Sequence, residues 1–267
     1  MARYFEFDGN SIDFPTRADF VERREYFEDF ILGGGRDLRA YGLTRITPSL
    51  TVEYDVNGLK FLKYAMGTIG TTSPYTVTVA STLPSGDYKV TVDDDHMSIH
   101  DAKVDTWEIT IEEGNPVKAE FTVIGKTMGT DGASQFTPDF NNMPILPHEC
   151  TLIIGGSTVT EWTRISLRIN NALEAIHKTS SLPVTIRETG LEITGRIRAP
   201  EYSSSWASEG GMTLIIGDAG TIKVRQIKFT EIPPRVTGFD LPETEISFSG
   251  YPSGTLAAIE AVVNDKW

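Results

Sequence analysis

Apolar and polar residues alternate with a period of two through most of this 267-residue chain, the pattern of strands with one buried and one solvated face. Leu50, Val52 and Tyr54 oppose Thr51 and Glu53; Val77 and Val79 oppose Thr76 and Thr78; Val90 and Val92 oppose Lys89 and Thr91. Trp107, Ile109 and Ile111 oppose Glu108, Thr110 and Glu112. Gly114-Asn115-Pro116 then supplies a turn into a second strand over 117–124, which predicts a hairpin. The alternation returns after residue 150 with Ile165, Leu167 and Ile169, with Val184 and Ile186, and with Leu191 and Ile193. A last pair of strands is expected over 222–230 and 243–249.

Three segments follow a helical period instead. Phe20, Phe27, Phe30 and Ile31 recur at helical spacing behind Thr16, which can cap, so a helix is predicted over 17–32. Gly33, Gly34 and Gly35 would end it and permit any chain direction, which makes residues 1–35 an expected arm hinged on the main body. A short helix is predicted over 59–66, with Leu59, Leu62, Ala65 and Met66 on one side and Gly67 as the stop. Leu256, Ile259, Val262 and Val263 predict a third helix within 254–267. Pro138, Pro144 and Pro147 break any continuous element, so 136–149 reads as a linker between a first β domain, 36–135, and a second, 150–253. Gly42–Thr47 is similar to Gly190–Gly195, and the terminal strand pairs of the two halves occupy matching places, which suggests a tandem repeat.

Composition narrows the chemistry. Acids outnumber bases by 37 to 24, and this excess argues against a protein built to grip phosphates, although an acidic wall lets a phosphate backbone slide past. Cys150 is the only cysteine, so no intrachain disulfide or thiolate zinc cluster can form. No apolar run approaches the roughly 18 residues of a membrane helix, and charges every few positions in the first twenty residues replace a signal-peptide core. Asp93, Asp94, Asp95 and His96 followed by His100 are the most ligand-like cluster, but they lack the glycine and terminal glutamate of a calcium loop and read better as a solvated turn. His148 and His177 are isolated, Ser253 does not sit in a nucleophile elbow, and Glu112 and Glu113 point to opposite faces of a strand. No reaction, metal or cofactor is assigned. Trp107, Trp162 and Trp206 could line a sugar platform in a carbohydrate- or receptor-binding β-sandwich, yet Trp107 is in phase with Ile109 and Ile111 and reads as core.

Three phrases carry a resemblance. They are Asn57-Gly58-Leu59-Lys60-Phe61-Leu62-Lys63-Tyr64-Ala65-Met66-Gly67, the pair 103–111 with 114–119, and Leu182–Ile186 leading into Leu191–Ile197. In these and in strand order over 36–253, the chain resembles the tail tube (major tail) proteins of long-tailed bacterial and archaeal viruses. The resemblance implies a mainly β fold of tandem tail-tube-type β-sandwich or β-barrel domains with a few short helices. It also implies a non-enzymatic subunit of the virion tail, assembled in the host cytoplasm. Copies would close into rings, either trimers imitating six subunits or true hexamers, that stack with one another and meet other tail proteins. DNA would pass through the lumen without specific binding. Glu53, Glu108, Glu112, Glu120 and Glu192 are then candidate lumen-facing residues, with Lys118, Arg164, Arg187 and Arg196 required to be paired or to point away. Phe20, Tyr26, Phe27 and Phe30, with the 68–85 loop, are candidate contacts between rings.

Overall fold

The structure, a computed structural model, describes residues 3–12, 14–29, 40–59, 61–92, 95–133, 143–199, 210–231, 244–254 and 256–264. It is mainly β, with one α-helical turn and one 3-10 turn among the described residues. The first half runs β1 (Arg3–Phe7), β2 (Asn10–Ser11), β3 (Pro15–Asp29), β4 (Ala40–Asp55), α1 (Leu62–Met66), β5 (Gly67–Ile69), β6 (Tyr75–Val79), β7 (Gly86–Val92), β8 (Asp95–Glu112), β9 (Lys118–Ile124) and β10 (Thr127–Gly129). A 3-10 turn at Pro147–Glu149 leads to β11 (Cys150–Ile154), β12 (Ser157–Val159), β13 (Arg164–Asn170), β14 (Leu173–Ile176), β15 (Thr185–Glu188) and β16 (Glu192–Ala199). The chain continues as β17 (Met212–Ile216), β18 (Gly220–Val224), β19 (Gln226–Glu231), β20 (Thr244–Tyr251) and β21 (Ile259–Val263).

Eight strands form the main sheet in the order β3-β4-β9-β8-β13-β16-β20-β19, antiparallel throughout. The first half supplies four and the second half four, and the seam between them is a full ladder in which Thr106–Glu112 of β8 pairs with Arg164–Asn170 of β13. Read in one direction across the sheet, each half follows the same rule: its first strand leads, its second comes next, and its last two are exchanged in order, so that β3 lies at the edge and β13 at the seam. The pairs β8–β9 and β19–β20 therefore hold equivalent places.

A second sheet, β12-β11-β17-β18-β21-β6-β5, packs over one face of the first, and a single core fills the space between. The alternating apolar residues meet there: Trp107, Ile109 and Ile111, Ala119, Phe121 and Val123, Ile165, Leu167 and Ile169, Ile246 and Phe248. Each large side chain so buried contributes about 1.5–3 kcal/mol of transfer free energy. Gly195 makes this packing possible, because a Cβ there would lie 2.3 Å from the Phe248 ring and 2.4 Å from the carbonyl oxygen of Ser166. The predicted helix at 59–66 is present but shorter. It ends at Gly67, whose φ of 117° and closeness to Ala80 suit no other residue.

Several expectations are corrected. The helix predicted over 17–32 is absent over 17–29: Pro15–Asp29 is a strand paired along its length with β4, while residues 30–35, with Phe30 and the three glycines, lie outside the described residues. The C-terminal segment is not a helix either. Ile259, Ala261 and Val263 face the core from a strand paired with β18 and β6, as the β-branched side chains of Ile259, Val262 and Val263 favour. The strand expected over 222–230 is two, breaking at Arg225 so that β18 serves the second sheet and β19 the first. Residues 3–12 belong to the body, since Phe5, Phe7 and Ile12 are buried and the Phe7 ring stacks on Tyr88.

The projecting element is instead a β-hairpin. Strand β9 accompanies β4 only over Ser49–Asp55, so the preceding nine residues, 40–48, pair with β3 alone and extend about 30 Å past the sheet. Its counterpart in the second half, β14–β15, behaves differently. The chain bends after Asn170, with Ala172 at φ 45°, and the hairpin folds back onto the first half. Asn171 Nδ2 donates to the carbonyl oxygens of Ala65 and Val104 at 3.0 Å each, the Leu173 amide donates to Asp105 Oδ1 at 2.8 Å, and Lys103 Nζ lies 2.7 Å from Glu188 Oε1. The loop beyond β14 buttresses the root of the long hairpin: the Ile46 amide donates to the Ser181 carbonyl at 2.7 Å. His177 donates from Nδ1 to that same carbonyl at 3.1 Å, which leaves Nε2 to accept from the Thr47 hydroxyl at 3.1 Å.

Candidate functional site: the polar face and its open edges

The main sheet turns its second face away from the core, and the strand period sends every alternate residue there. Glu53, Glu108, Glu112, Glu120 and Glu192 all lie on this one face; Glu53, Glu108 and Glu120 sit between buried neighbours, while Glu112 follows buried Ile111 and Glu192 precedes buried Ile193. The register places them in rows. At one level Arg17, Glu53, Glu120, Glu108, Arg168, Thr194, Ser249 and Lys228 are successive cross-strand partners, so three carboxylates stand side by side on β4, β9 and β8. Burial, with Glu53 and Glu108 on either side, raises the Glu120 pKa above its ordinary value. Burial also raises that of Asp55, against the opposing pull of Lys118. One level nearer the root of the hairpin, the Thr51 and Thr122 hydroxyls bond at 3.0 Å.

Six cations of this face are held by carboxylates, and the seventh, Lys228, lies over the Tyr251 ring. Lys118 Nζ is 2.8 Å from Glu53 Oε1, Arg164 Nη1 is 3.8 Å from Glu112, Arg168 Nη1 is 4.0 Å from Glu108, and Arg196 and Arg198 share Glu245 at 3.2 and 3.4 Å. Arg17 pairs with Asp19. Arg187 is elsewhere, on the folded hairpin opposite Glu174. Among the described residues the face carries eight carboxylates against seven cations, with hydroxyls of Thr106, Thr110, Ser166, Thr194, Ser247 and Ser249 between them. Over the second half it forms a hollow of about 550 Å³ lined by Arg164, Arg168, Arg196, Arg198 and Glu245. Sequence reasoning missed Asp19, Arg198 and Glu245, although the alternation that identified Glu192 also runs through Arg198.

Among the described residues the outermost strands join no further strand, β3 pairing only with β4 and β19 only with β20, although the Ile227 amide of β19 donates to the Gly210 carbonyl at 3.1 Å. Of the aromatic residues expected at contacts, Phe20 is partly buried against the core, while Tyr26 is 48% exposed near the end of the hairpin. A bulge between Glu25 and Tyr26 sets Tyr26 opposite Leu43, itself 43% exposed. The Phe27 side chain and Phe30 lie outside the described residues. In the 68–85 loop, Thr71–Pro74 is exposed between β5 and β6.

The residues considered for other chemistry are accounted for separately. Asp93 and Asp94 lie outside the described residues, His96 Nδ1 is 3.1 Å from the Thr91 hydroxyl, and His100 sits between Asp87 and Asp131 at 3.3 and 3.4 Å. Among the described residues no group of three acidic, histidine or cysteine side chains is arranged to hold a metal ion. Trp107 is buried and Trp162 is packed partly against the core, so neither offers a platform; Trp206 lies outside the described residues. No described helix is long and apolar enough to cross a membrane. No curated relative matches the sequence. A family model described as phage tail tube protein matches residues 15–256 of the 267, and the chain belongs to the phage tail tube protein family.

Proposed function

We propose that this chain is the structural, non-catalytic subunit of a viral tail tube, closing into stacked rings whose lumen is the conduit for genome ejection. The observation that carries this reading is the main sheet: eight antiparallel strands, four from each half in the same order, whose outermost strands β3 and β19 join no further strand among the described residues. An open edge in a monomer invites aggregation, and a ring consumes it. The even strand number matters here. Strands β3 and β19 run in opposite directions, so β19 of one copy can meet β3 of the next in the antiparallel sense used at the β8–β13 seam.

The tandem order supports two tube domains joined by 136–149, the first enlarged from the expected 36–135 to take in β3 (Pro15–Asp29) and the second 150–253, and hence a ring of three copies imitating six. Three copies give about 24 strands, and a spacing of about 4.8 Å with a tilt of about 40° closes them at a backbone diameter of about 48 Å. Side chains narrow this to about 38 Å, which passes a duplex about 20 Å across with water around it. Six copies would double the strands and leave a bore of about 85 Å, far wider than a duplex requires. The polar face is the wall in this reading. All but one of its cations are already engaged by carboxylates, so DNA gains little counterion release by stopping there, and it moves through without specific binding. Negative-stain microscopy of the purified protein should show hollow rods, assembled as they would be in the virion tail with other tail proteins at their ends. Dispersed monomers at high concentration would reject the proposal.

A further inference from the structure

Across the main sheet one row of core-facing positions runs Ala18, Val52, Phe121, Trp107, Ile169, Ile193, Gly250 and Ile227, each the cross-strand partner of the next. The row crosses the seam between the halves at Trp107 and Ile169. On either side of them the Asn171 amide donates to the Asp105 carbonyl at 2.8 Å and the Glu113 amide to the Thr163 carbonyl at 2.9 Å. Bonded pairs recur at every second residue of an antiparallel ladder, so Trp107 and Ile169 exchange backbone bonds across the seam. Ile227 ends the same row, buried on the same face, and its amide likewise points away from its neighbour β20. In a ring, β3 of the next copy has to accept from that amide.

Within one chain the amide is already taken, since it donates to the Gly210 carbonyl at 3.1 Å. Gly210 is held there by the residues after it. The Gly211 carbonyl accepts from the Gly155 amide at 3.0 Å, and buried Met212 opens β17 opposite Val224. The approach demands glycine: a Cβ on Gly211 would lie 2.9 Å from the Arg225 carbonyl oxygen and 3.0 Å from that of Val224. Strand β19 has six residues, and alternate ones direct their amides outward, Ile227 and Phe229 being those ahead of the bulge. One of these two is thus covered by the chain's own backbone on the side where a copy must join.

We propose that Gly210 and Gly211 form an autoinhibitory stop on the β19 edge, which β3 of a second copy displaces when a ring closes. This rests on the tube reading above and adds a regulatory contact to it. Proteins guard sheet edges against indiscriminate pairing by covering them with a loop, and here the cover is one hydrogen bond, weak enough to yield. The exchange is close to neutral once complete, because the Ile227 amide trades one carbonyl for another. Its effect is on the rate: an arriving strand first has to break the bond to Gly210, so closure is slowed while the finished ring loses nothing.

Gly211→Ala tests this. The added methyl meets the Arg225 and Val224 carbonyls and pushes Gly210 off the β19 edge. Rod formation followed by light scattering at one protein concentration should then show a lag about threefold shorter than that of the unaltered chain, as the loss of one backbone hydrogen bond allows. Hydrogen exchange of the Ile227 amide in dilute subunits should quicken by about tenfold as its acceptor withdraws. With circular dichroism confirming the fold, an unchanged or longer lag for the alanine chain would overturn the proposal. The unaltered chain gives a second measure that needs no variant: its Ile227 amide should exchange at least ~10-fold more slowly than in the urea-unfolded chain, and exchange at the unfolded rate would equally overturn the stop. An unaltered chain that forms no rods while this amide stays protected would instead overturn the tube reading itself.

Discussion

Replacing Glu120 with glutamine should stabilise the unassembled subunit at neutral pH, and the size of the gain follows from the register. Glu120 has Glu53 on one side and Glu108 on the other as direct cross-strand partners. Like charges so placed cost about 0.2–1 kcal/mol per pair, and Arg17 and Arg168 one strand further out offset part of this, so removing the central charge should gain about 0.5–1.5 kcal/mol. The pH dependence has a definite sign. Burial, then Glu53 and Glu108, raise the native pKa of Glu120 above its ordinary 4.5, while the unfolded chain keeps the ordinary value. Between these two values the native state binds the proton better, so the unaltered protein loses stability as pH rises from 4.5 through the raised native pKa, and the loss is complete above it. Glu120→Gln does not titrate. Its advantage is therefore full at pH 7.5 and absent at pH 4, where Glu120 is protonated in the native state. Urea denaturation of dilute subunits, followed by tryptophan fluorescence at both pH values, measures the difference directly, and other titrating groups cancel between the two proteins. A variant less stable than the parent at pH 7.5, or a gain equal at both pH values, would refute the like-charge row.

Gly195→Val should destabilise the subunit by about 1–3 kcal/mol, since the new side chain meets the Phe248 ring and the backbone of Ser166, and the neighbouring strand cannot yield as a flexible side chain would. Denaturant midpoints should fall with little change in slope, and a shift under about 0.5 kcal/mol would contradict the packing. Cys150 should resist thiol reagents at pH 8 in the native subunit and react at once in denaturant, because burial pushes its thiol up to about 11. Fast native labelling would show that this strand opens.

The strands facing the core were legible because alternation needs no knowledge of partners: Trp107, Ile109 and Ile111, or Ile165, Leu167 and Ile169, must share one face whatever lies beside them. The same logic placed Glu53, Glu108, Glu112, Glu120 and Glu192 together on the other. It could not show that Glu53, Glu120 and Glu108 form one row, because register is set by turns and bulges across sequence separations of dozens of residues. The long hairpin was misread for a related reason. Beyond Phe20 its strands have solvent on much of both faces, so Glu22, Arg23, Arg24 and Glu25 show no alternation, and the spacing of Phe20, Phe27 and Phe30 imitates a helix. At the C-terminus, the short segment Ile259–Val263, apolar but for Glu260, fits either period, and pairing with β18 and β6 decides it.

The unequal fate of the two hairpins bears on how successive layers are oriented about the tube axis. In a trimeric annulus the inner wall would repeat every 60°, but only every other repeat would carry a long projection, since the one from β14–β15 is pinned down by Asn171, Lys103 and Glu188. A layer could then seat on its neighbour at three azimuths and not six. Such clocking would fix the rotation from each layer to the next, and with it the screw symmetry of the whole filament, even where the bore itself would look almost six-fold.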